Sequence, residues 1–177
     1  MGCKCGRKWY KLPIKESRDP VPPTLVFYGE FDISIDPKNR IVIPAEVRRE
    51  IVPKRDGEQF FIVVGLNRRA WLYPDLAYKS MVANELPSKL APDKQVLKFD
   101  SLNFAMARKV EPDKQWRISI PPEIIRRTKM QKEITLVGVR NHLELWDRAQ
   151  WTAFSNELLD EREAASEEQI PDAPPTT

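Results

Sequence analysis

The sequence predicts an α+β fold, mainly β, in which two tandem units pair about a pseudo-two-fold axis to form one barrel-like sheet with short helices. Three observations support this prediction. Two stretches resemble each other at an offset of 77 residues, DPKNRIVIPAEVRRE from Asp36 and DKQWRISIPPEIIRRT from Asp113. The 177 residues include 16 Pro and 6 Gly, which favours many short elements over a few long helices. One unit alone buries too little surface to be stable, so we expect the two units to pair.

The repeated unit is about 50 residues long, and its matches follow the same order in both copies. After the short helix the second copy is four residues shorter, so the later matches have an offset of 73. The matched pairs are Phe27 and Phe104, Asp36 and Asp113, Arg40 and Arg117, Ile41 and Ile118, Ile43 and Ile120, Pro44 and Pro121, Glu46 and Glu123, Arg49 and Arg126, Gly65 and Gly138, Leu72 and Leu145, Tyr73 and Trp146, and Tyr78 and Trp151.

The first half of each unit is a hairpin followed by a short helix. Residues 25–35 are rich in β-branched and aromatic side chains, which predicts a strand. The turn Asp36-Pro37-Lys38-Asn39 follows, because Asp accepts a backbone hydrogen bond, Pro presets φ and Asn tolerates positive φ. Residues 40–43 are the predicted return strand. Pro44 suits the first turn of a helix, which we expect to continue over residues 45–51.

The second half of each unit is another hairpin closed by a helix. Residues 59–65 and 70–73 are predicted strands around a turn at 66–69, and Asp75 is placed to cap a helix over 76–86. The second unit repeats this order, with strands at 106–112, 117–120, 133–138 and 143–146, a short helix at 123–129 and a closing helix from Asp147.

The predicted domain plan has five parts. They are a disordered basic extension over 1–24, a first unit over 25–90, a linker with a helix over 91–103, a second unit over 104–160 and a disordered acidic tail over 161–177.

Charge is distributed unevenly along the chain. Residues 1–20 carry six Lys/Arg and two Asp/Glu, whereas residues 157–177 carry one Arg and seven Asp/Glu. Because the formal net charge is +3, the body between them holds +5. A basic body beside an acidic tail suits a polyanionic partner.

Several classes of function are disfavoured. The longest apolar run, residues 60–66, is far shorter than the ~20 residues of a membrane helix, so we expect no membrane partner. Cys3 and Cys5 are too close to cross-link a core, which indicates a reducing or indifferent compartment and favours the cytoplasm. Zinc needs four ligands, and the sequence adds only His142 to these two cysteines. No nucleophile, metal or phosphate-loop motif occurs, so we expect no enzyme, no cofactor, no metal and no small-molecule substrate.

The two hairpin turns carry the candidate DNA-binding residues, since a turn projects long cationic side chains toward a phosphate or a guanine edge. An aspartate four residues before each arginine can orient its guanidinium. The simpler alternative is a surface ion pair worth ~0–1 kcal/mol, but duplication of the motif favours DNA binding. The DNA-binding candidates are Arg40, Lys38, Arg117 and Lys114, and the turn-orienting residues are Asp36, Asp113 and Asn39.

Other polar and aromatic residues are predicted to have structural roles. Arg48, Arg49, Arg126 and Arg127 are interpreted as a solvated helix face. His142 is predicted to be a surface residue in the last hairpin turn. The tryptophans favour the core or a subunit interface, and only Trp116, at a turn, is a candidate for stacking on a base.

The motifs FYGEFDISIDPKNRIVIPAEVR, LYP, DKQWRISIPPEI and ITLVGVRNHLELWDRAQW resemble the MraZ family of tandem swapped-hairpin, AbrB-like proteins over about residues 25–160. The resemblance implies a cytoplasmic, nucleoid-associated transcriptional regulator that assembles into homo-oligomeric rings. It also implies binding of double-stranded DNA at short direct repeats upstream of the division and cell-wall gene cluster, with the arginine of each Asp-x-x-x-Arg signature contacting DNA.

The chain departs from the family pattern before each signature arginine, where the family usually has Gly. Asn39 tolerates positive φ, so the first turn is expected to persist. Trp116 carries a steric cost there, which predicts an altered second turn or a displaced Arg117. Two alternatives to DNA binding stay open: an antitoxin-type interaction module that uses the acidic tail, and an RNA binder that uses the same hairpins.

Overall fold

The computed structural model describes residues 25–85 and 94–167. The predictions for residues 1–24, for the end of the first unit and the start of the linker over 86–93, and for residues 168–177 of the tail lie outside these ranges. In chain order the elements are β1 (Glu30–Ser34), β2 (Arg40–Val42), α1 (Ala45–Glu50), α2 (Pro53–Asp56), β3 (Phe60–Val64), β4 (Ala70–Pro74), α3 (Asp75–Glu85), α4 (Lys94–Met106), β5 (Arg108–Val110), β6 (Arg117–Ser119), α5 (Pro122–Thr128), β7 (Glu133–Val139), β8 (His142–Asp147) and α6 (Arg148–Glu167).

Six strands form one antiparallel sheet in the order β1-β7-β8-β4-β3-β5, and β2 and β6 form a separate two-stranded sheet. Each strand of the larger sheet lies at a position that mirrors that of its repeat copy. The central ladder pairs Ala70 with Leu145 and Leu72 with Leu143, and these pairs exchange under a two-fold rotation. The predicted α+β, mainly β fold with tandem units about a pseudo-two-fold axis is therefore confirmed.

The first hairpin of each unit exchanges partners with the other unit. β1 pairs with β7, β5 pairs with β3, and β2 pairs with β6. This exchange is the swapped-hairpin arrangement that the family resemblance implied, so residues 40–43 are not the return strand of a local hairpin, although the turn that follows residues 25–35 forms as predicted. Ile41 and Ile118 lie opposite each other in the β2–β6 ladder and are 1% and 0% exposed. Apolar burial across the axis thus outweighs local strand pairing.

The strands that begin the two units are shorter than predicted. Gly29 adopts a φ of 83°, which interrupts the first strand, so β1 begins at Glu30 and Phe27 forms only an isolated bridge with Arg140. The match of Phe27 with Phe104 is wrong, because Phe27 is 2% exposed whereas Phe104 lies in α4 and is 50% exposed.

The main core lies between the large sheet, the β2–β6 pair and the two short helices. Both repeats contribute to it, since Val47 of α1 and Ile124 of α5 occupy equivalent buried positions. A smaller cluster of Val63, Tyr73 and Tyr78 lies on the other face of the sheet, with α3.

Two further predictions differ from the structure. His142 is the first residue of β8 rather than a surface turn residue, because it pairs with Val139; its side chain is 12% exposed and stacks on Tyr73 at a centroid distance of 4.8 Å. Residues 161–167, expected to be disordered, continue α6, which ends at Glu167. Trp146 is buried, as predicted, and stacks on Phe154 of α6.

Candidate nucleic-acid interface

The candidate interface is the outer face of the β2–β6 pair, here called the ribbon. Arg40 lies opposite Ser119, and Val42 lies opposite Arg117. Side chains alternate between the two faces of a strand, and the intervening isoleucines point into the core. Arg40, Val42, Arg117 and Ser119 therefore share the face that points away from the core.

The first turn is organised around the carboxylate of Asp36. Its Oδ1 accepts hydrogen bonds from the backbone N–H groups of Lys38 and Arg40 at 2.8 and 2.9 Å, and its Oδ2 accepts one from Arg40 Nε at 2.8 Å. The N–H of Asn39 donates to the carbonyl of Asp36 at 2.9 Å, and Asn39 has a φ of 59°. Asp36 thus binds both the backbone N–H and the guanidinium of Arg40, and this holds the guanidinium at the turn.

The second turn has the same geometry despite its tryptophan. Asp113 Oδ1 accepts hydrogen bonds from the N–H groups of Gln115 and Arg117 at 2.8 and 3.0 Å, and Oδ2 accepts one from Arg117 Nε at 2.8 Å. Trp116 has a φ of 58°, and its N–H donates to the carbonyl of Asp113 at 2.8 Å. The expectation of an altered turn or a displaced Arg117 is wrong.

The surroundings of Trp116 explain why this turn persists. The indole is partly buried and packs against the main core, so apolar contact offsets the cost of a bulky side chain at positive φ. A bulky residue is tolerated at such a position when the surrounding structure holds it there.

Both turn carboxyls are more acidic than usual. The hydrogen bond from the Arg40 side chain is the main reason that the pKa of Asp36 lies below its ordinary value. The backbone N–H of Arg117 is the main reason that the pKa of Asp113 is lowered, and the Arg117 side chain adds to this effect. Both aspartates are therefore carboxylates at neutral pH, the form that orients a guanidinium.

The structure brings the two signature arginines together and separates the two lysines. Arg40 and Arg117 occupy diagonal positions of the ladder, which places their Cα atoms roughly 7–8 Å apart. Lys38 and Lys114 are exposed in turns at opposite ends of the ribbon. Their side chains widen the cationic surface along the ribbon.

Sequence reasoning missed two residues of this face, Val42 and Ser119. Both are exposed, and Val42 is 46% exposed although apolar. The alternation in the Arg-Ile-Val-Ile and Arg-Ile-Ser-Ile segments was a signal that could have found them, since it separates an inner from an outer set of side chains. Arg49, Arg126 and Arg127 are exposed on α1 and α5, as predicted for a solvated helix face.

Metal sites and membrane spans can be assessed over the residues that the structure describes. Over 25–85 and 94–167, no group of three or more His, Cys, Asp or Glu side chains is arranged to hold a metal ion. In the same ranges, the helices are too short or too polar to cross a bilayer.

The fold and the site together define the class of protein. It is a tandem swapped-hairpin fold of the AbrB-like kind, because the hairpins are exchanged, the sheet has a pseudo-two-fold axis and each unit carries one Asp-x-x-x-Arg turn. The family model of MraZ, whose description adds a likeness to antitoxins, matches residues 26–99 and 103–172. The chain belongs to the MraZ family.

Three curated relatives are each named "Transcriptional regulator MraZ". The protein of Acetivibrio thermocellus is 33% identical over 132 residues, which is 75% of this chain and 88% of the relative. That of Finegoldia magna is 33% identical over 133 residues, again 75% and 88%. That of Mycoplasmopsis pulmonis is 32% identical over 143 residues, or 78% and 90%.

Proposed function

We propose that the protein is a sequence-specific DNA-binding transcriptional regulator, acting as a repressor of the division and cell-wall gene cluster. It binds short direct repeats as a homo-oligomeric ring in the cytoplasm, at the nucleoid. The names of its relatives support a role in transcription. The observation that carries the proposal is the pair of arginines on one exposed face of a two-stranded ribbon, each oriented by an aspartate.

A two-stranded ribbon is narrow enough to enter the major groove of B-DNA, where arginine recognises guanine through its O6 and N7 atoms. Asp36 engages Nε and Nη2 of Arg40, at 2.8 and 2.7 Å, and this limits the orientations of the guanidinium. The remaining donors are then available to a base edge or a phosphate. Lys38 and Lys114 supply phosphate contacts, which set the register on the duplex without reading sequence.

Several copies of the ribbon in one assembly can bind DNA firmly even when each copy binds it weakly. A single ribbon makes only a few contacts, but copies held in one assembly bind adjacent repeats at a high effective concentration. Helices α4 and α6 support an assembly, because they leave large apolar side chains about half exposed that another copy could cover. These side chains are Leu97, Leu102, Phe104, Leu158 and Leu159, with exposures between 45% and 55%.

Sedimentation velocity of the purified protein, with and without its own upstream DNA, tests both parts of the proposal. We expect an oligomer that co-sediments with this DNA at moderate salt. The double variant Arg40→Gln/Arg117→Gln should sediment as the same oligomer but lose the DNA, because only the outer face changes. The matched control is Arg68→Gln, since Arg68 is exposed in the β3–β4 turn, outside the ribbon. A protein that stays monomeric and ignores this DNA would overturn the proposal.

A second candidate is a protein-interaction module of the antitoxin type. The described end of α6, residues 157–165, is exposed and acidic, and the family description includes a likeness to antitoxins. Deletion of residues 160–177 separates the candidates, because it removes the acidic segment but keeps Leu158 and Leu159 of the proposed assembly surface. A DNA regulator keeps its DNA affinity without this segment, whereas an antitoxin loses the surface that covers its partner. Competition of duplex DNA with structured RNA tests the RNA alternative in the same assay.

A further inference from the structure

The outer face of the ribbon carries an exposed apolar side chain, Val42. This side chain is 46% exposed, whereas its neighbours along the strand, Ile41 and Ile43, are 1% and 0% exposed. The backbone is paired on both sides of Val42, since Ile41 pairs with Ile118 and the N–H of Ile43 donates to the carbonyl of Trp116. The strand therefore presents Val42 away from the core in a fixed register.

Val42 lies beside both signature arginines. It is directly opposite Arg117 in the ladder and two residues along the same strand from Arg40. Opposed residues have Cβ atoms about 5 Å apart, and residues i and i+2 of a strand are roughly 7 Å apart. Since successive bases of a strand are about 3.4 Å apart, a base that meets either arginine lies within about two base pairs of the base that meets Val42.

The equivalent position of the second unit has a different chemistry. Ser119, at the repeat offset of 77 from Val42, is exposed and lies opposite Arg40. Its hydroxyl can donate or accept a hydrogen bond, so it suits any base edge. The Val42 side chain can do neither. The pseudo-two-fold axis therefore relates the two arginines but not the residues beside them.

The major groove of B-DNA presents one apolar group, the methyl group on C5 of thymine. A valine that packs against this methyl group removes apolar surface from water on both sides. Against any other base edge, the same valine would cover a donor or an acceptor without replacing its hydrogen bond to water, which is costly. An apolar side chain on a face that enters this groove thus favours thymine over the other bases.

We propose that Val42 is a further specificity-determining residue, which recognises the methyl group of a thymine within about two base pairs of the guanine that Arg117 binds. This inference rests on the proposed function and adds an apolar base contact to the arginine contacts. Because Ser119 takes the place of valine on the other side of the axis, the thymine is required on one side of the ribbon only.

Replacement of thymine by deoxyuridine in the upstream DNA tests this inference with the unaltered protein. Deoxyuridine lacks only the methyl group and keeps every hydrogen-bonding atom of thymine. Fluorescence anisotropy measures the affinity for duplexes in which one thymine at a time is replaced. We expect one thymine in each repeat at which the replacement weakens binding about fourfold, the effect of one buried methyl group. Replacement at the other thymines should leave the affinity unchanged.

The variant Val42→Ser gives the first unit the residue of the second. It should bind the thymine and deoxyuridine duplexes equally, and about as tightly as the unaltered protein binds the deoxyuridine duplex. The matched control is Val52→Ser, because Val52 is also 46% exposed but lies immediately before α2, outside the ribbon. The control should keep the fourfold difference. Thermal unfolding of both variants shows whether the fold is kept.

The results separate this inference from the function on which it rests. Binding of the upstream DNA with no thymine methyl group that matters would overturn the inference and keep the proposed function. A methyl dependence that persists in the folded Val42→Ser variant would show that another residue contacts the methyl group, and would also overturn it. Failure of the unaltered protein to bind the upstream DNA would remove the proposed function and this inference together.

Discussion

The backbone carbonyl of Asn39 accepts a hydrogen bond from the backbone N–H of Ile120 at 2.7 Å, which ties the tip of the first turn to the end of the second ribbon strand. The reciprocal bond runs from the N–H of Ile43 to the carbonyl of Trp116 at 2.9 Å. Each turn is therefore held by the opposite repeat. The two cationic tips are thus joined through backbone hydrogen bonds at both ends of the ribbon.

Asn39→Ala should destabilise the protein by about 1 kcal/mol, because alanine has a Cβ at positive φ but lacks the amide that makes Asn tolerant. Asn39→Gly is the matched control and should stay close to the unaltered protein, since Gly accepts this φ freely. Urea unfolding at neutral pH measures both. Equal stability of the Ala and Gly variants would show that the positive φ does not matter here.

Asp36→Asn/Asp113→Asn should make stability less sensitive to acid. Both carboxyls have a lowered pKa in the folded protein, so their contribution is fully present above the ordinary carboxyl pKa of about 3.9 and disappears as pH falls through the lower folded value. The melting temperature of the double variant should lie below that of the unaltered protein at pH 7, and this difference should shrink as the pH falls below the ordinary carboxyl pKa and through the lowered pKa of the folded protein.

The control for this pH series is Asp160→Asn, an exposed carboxyl on α6. Melting curves of all three proteins from pH 7 to acid pH provide the measurement. A difference in melting temperature that stays constant across the pH series would contradict this prediction, because the stabilisation would then not depend on the ionisation of the two turn aspartates.

Lys38→Gln and Lys114→Gln should weaken DNA binding to all sequences alike and reduce the salt slope of log K by ~0.9 for each phosphate that is no longer neutralised. Arg40→Gln should instead relax sequence preference and cost about 1–3 kcal/mol on the preferred site, because it removes an interaction with a base. Fluorescence anisotropy with specific and scrambled duplexes at several salt concentrations separates the two effects. Lys54→Gln, exposed on α2, is the control. A reduced sequence preference in the lysine variants would contradict this division of roles.

Ile41→Ala and Ile118→Ala should destabilise the protein to a similar extent, by about 2–5 kcal/mol each, because both side chains are buried at equivalent positions beside the axis. Ile→Val at the same positions should cost ~0.5–1.5 kcal/mol. Since the two residues face each other, the effects of a double variant should not add. The midpoint of denaturant unfolding, at an unchanged slope, measures the loss of stability in each variant. A large difference in this loss between the Ile41 and Ile118 variants would argue against the symmetric core.

Local features of the chain were predictable because adjacent residues determine them. The turn from Asp36 to Arg40, the prolines that precede α1 and α5, and the second hairpin of each unit all follow from short segments with specific backbone preferences. The one-turn helix α2 was missed, since four residues provide too little periodicity to detect.

The steric cost of a positive φ at Trp116 was overestimated from the sequence. Steric arguments from sequence treat a positive φ as an isolated cost. In the structure, the hydrogen bond from Ile43 and the packing of the indole against the core compensate that cost, and both partners are distant in sequence.

The amino-acid sequence by itself determined that there are two copies of one unit, where each turn lies and which arginine each turn presents, because these depend on residue spacing and local backbone chemistry. Only the tertiary structure decided which strands the exchanged hairpins pair with, that His142 enters a strand, and that Arg48 lies beside Trp116. Those outcomes depend on which apolar surfaces meet across the axis, and such long-range burial leaves no local pattern in the chain.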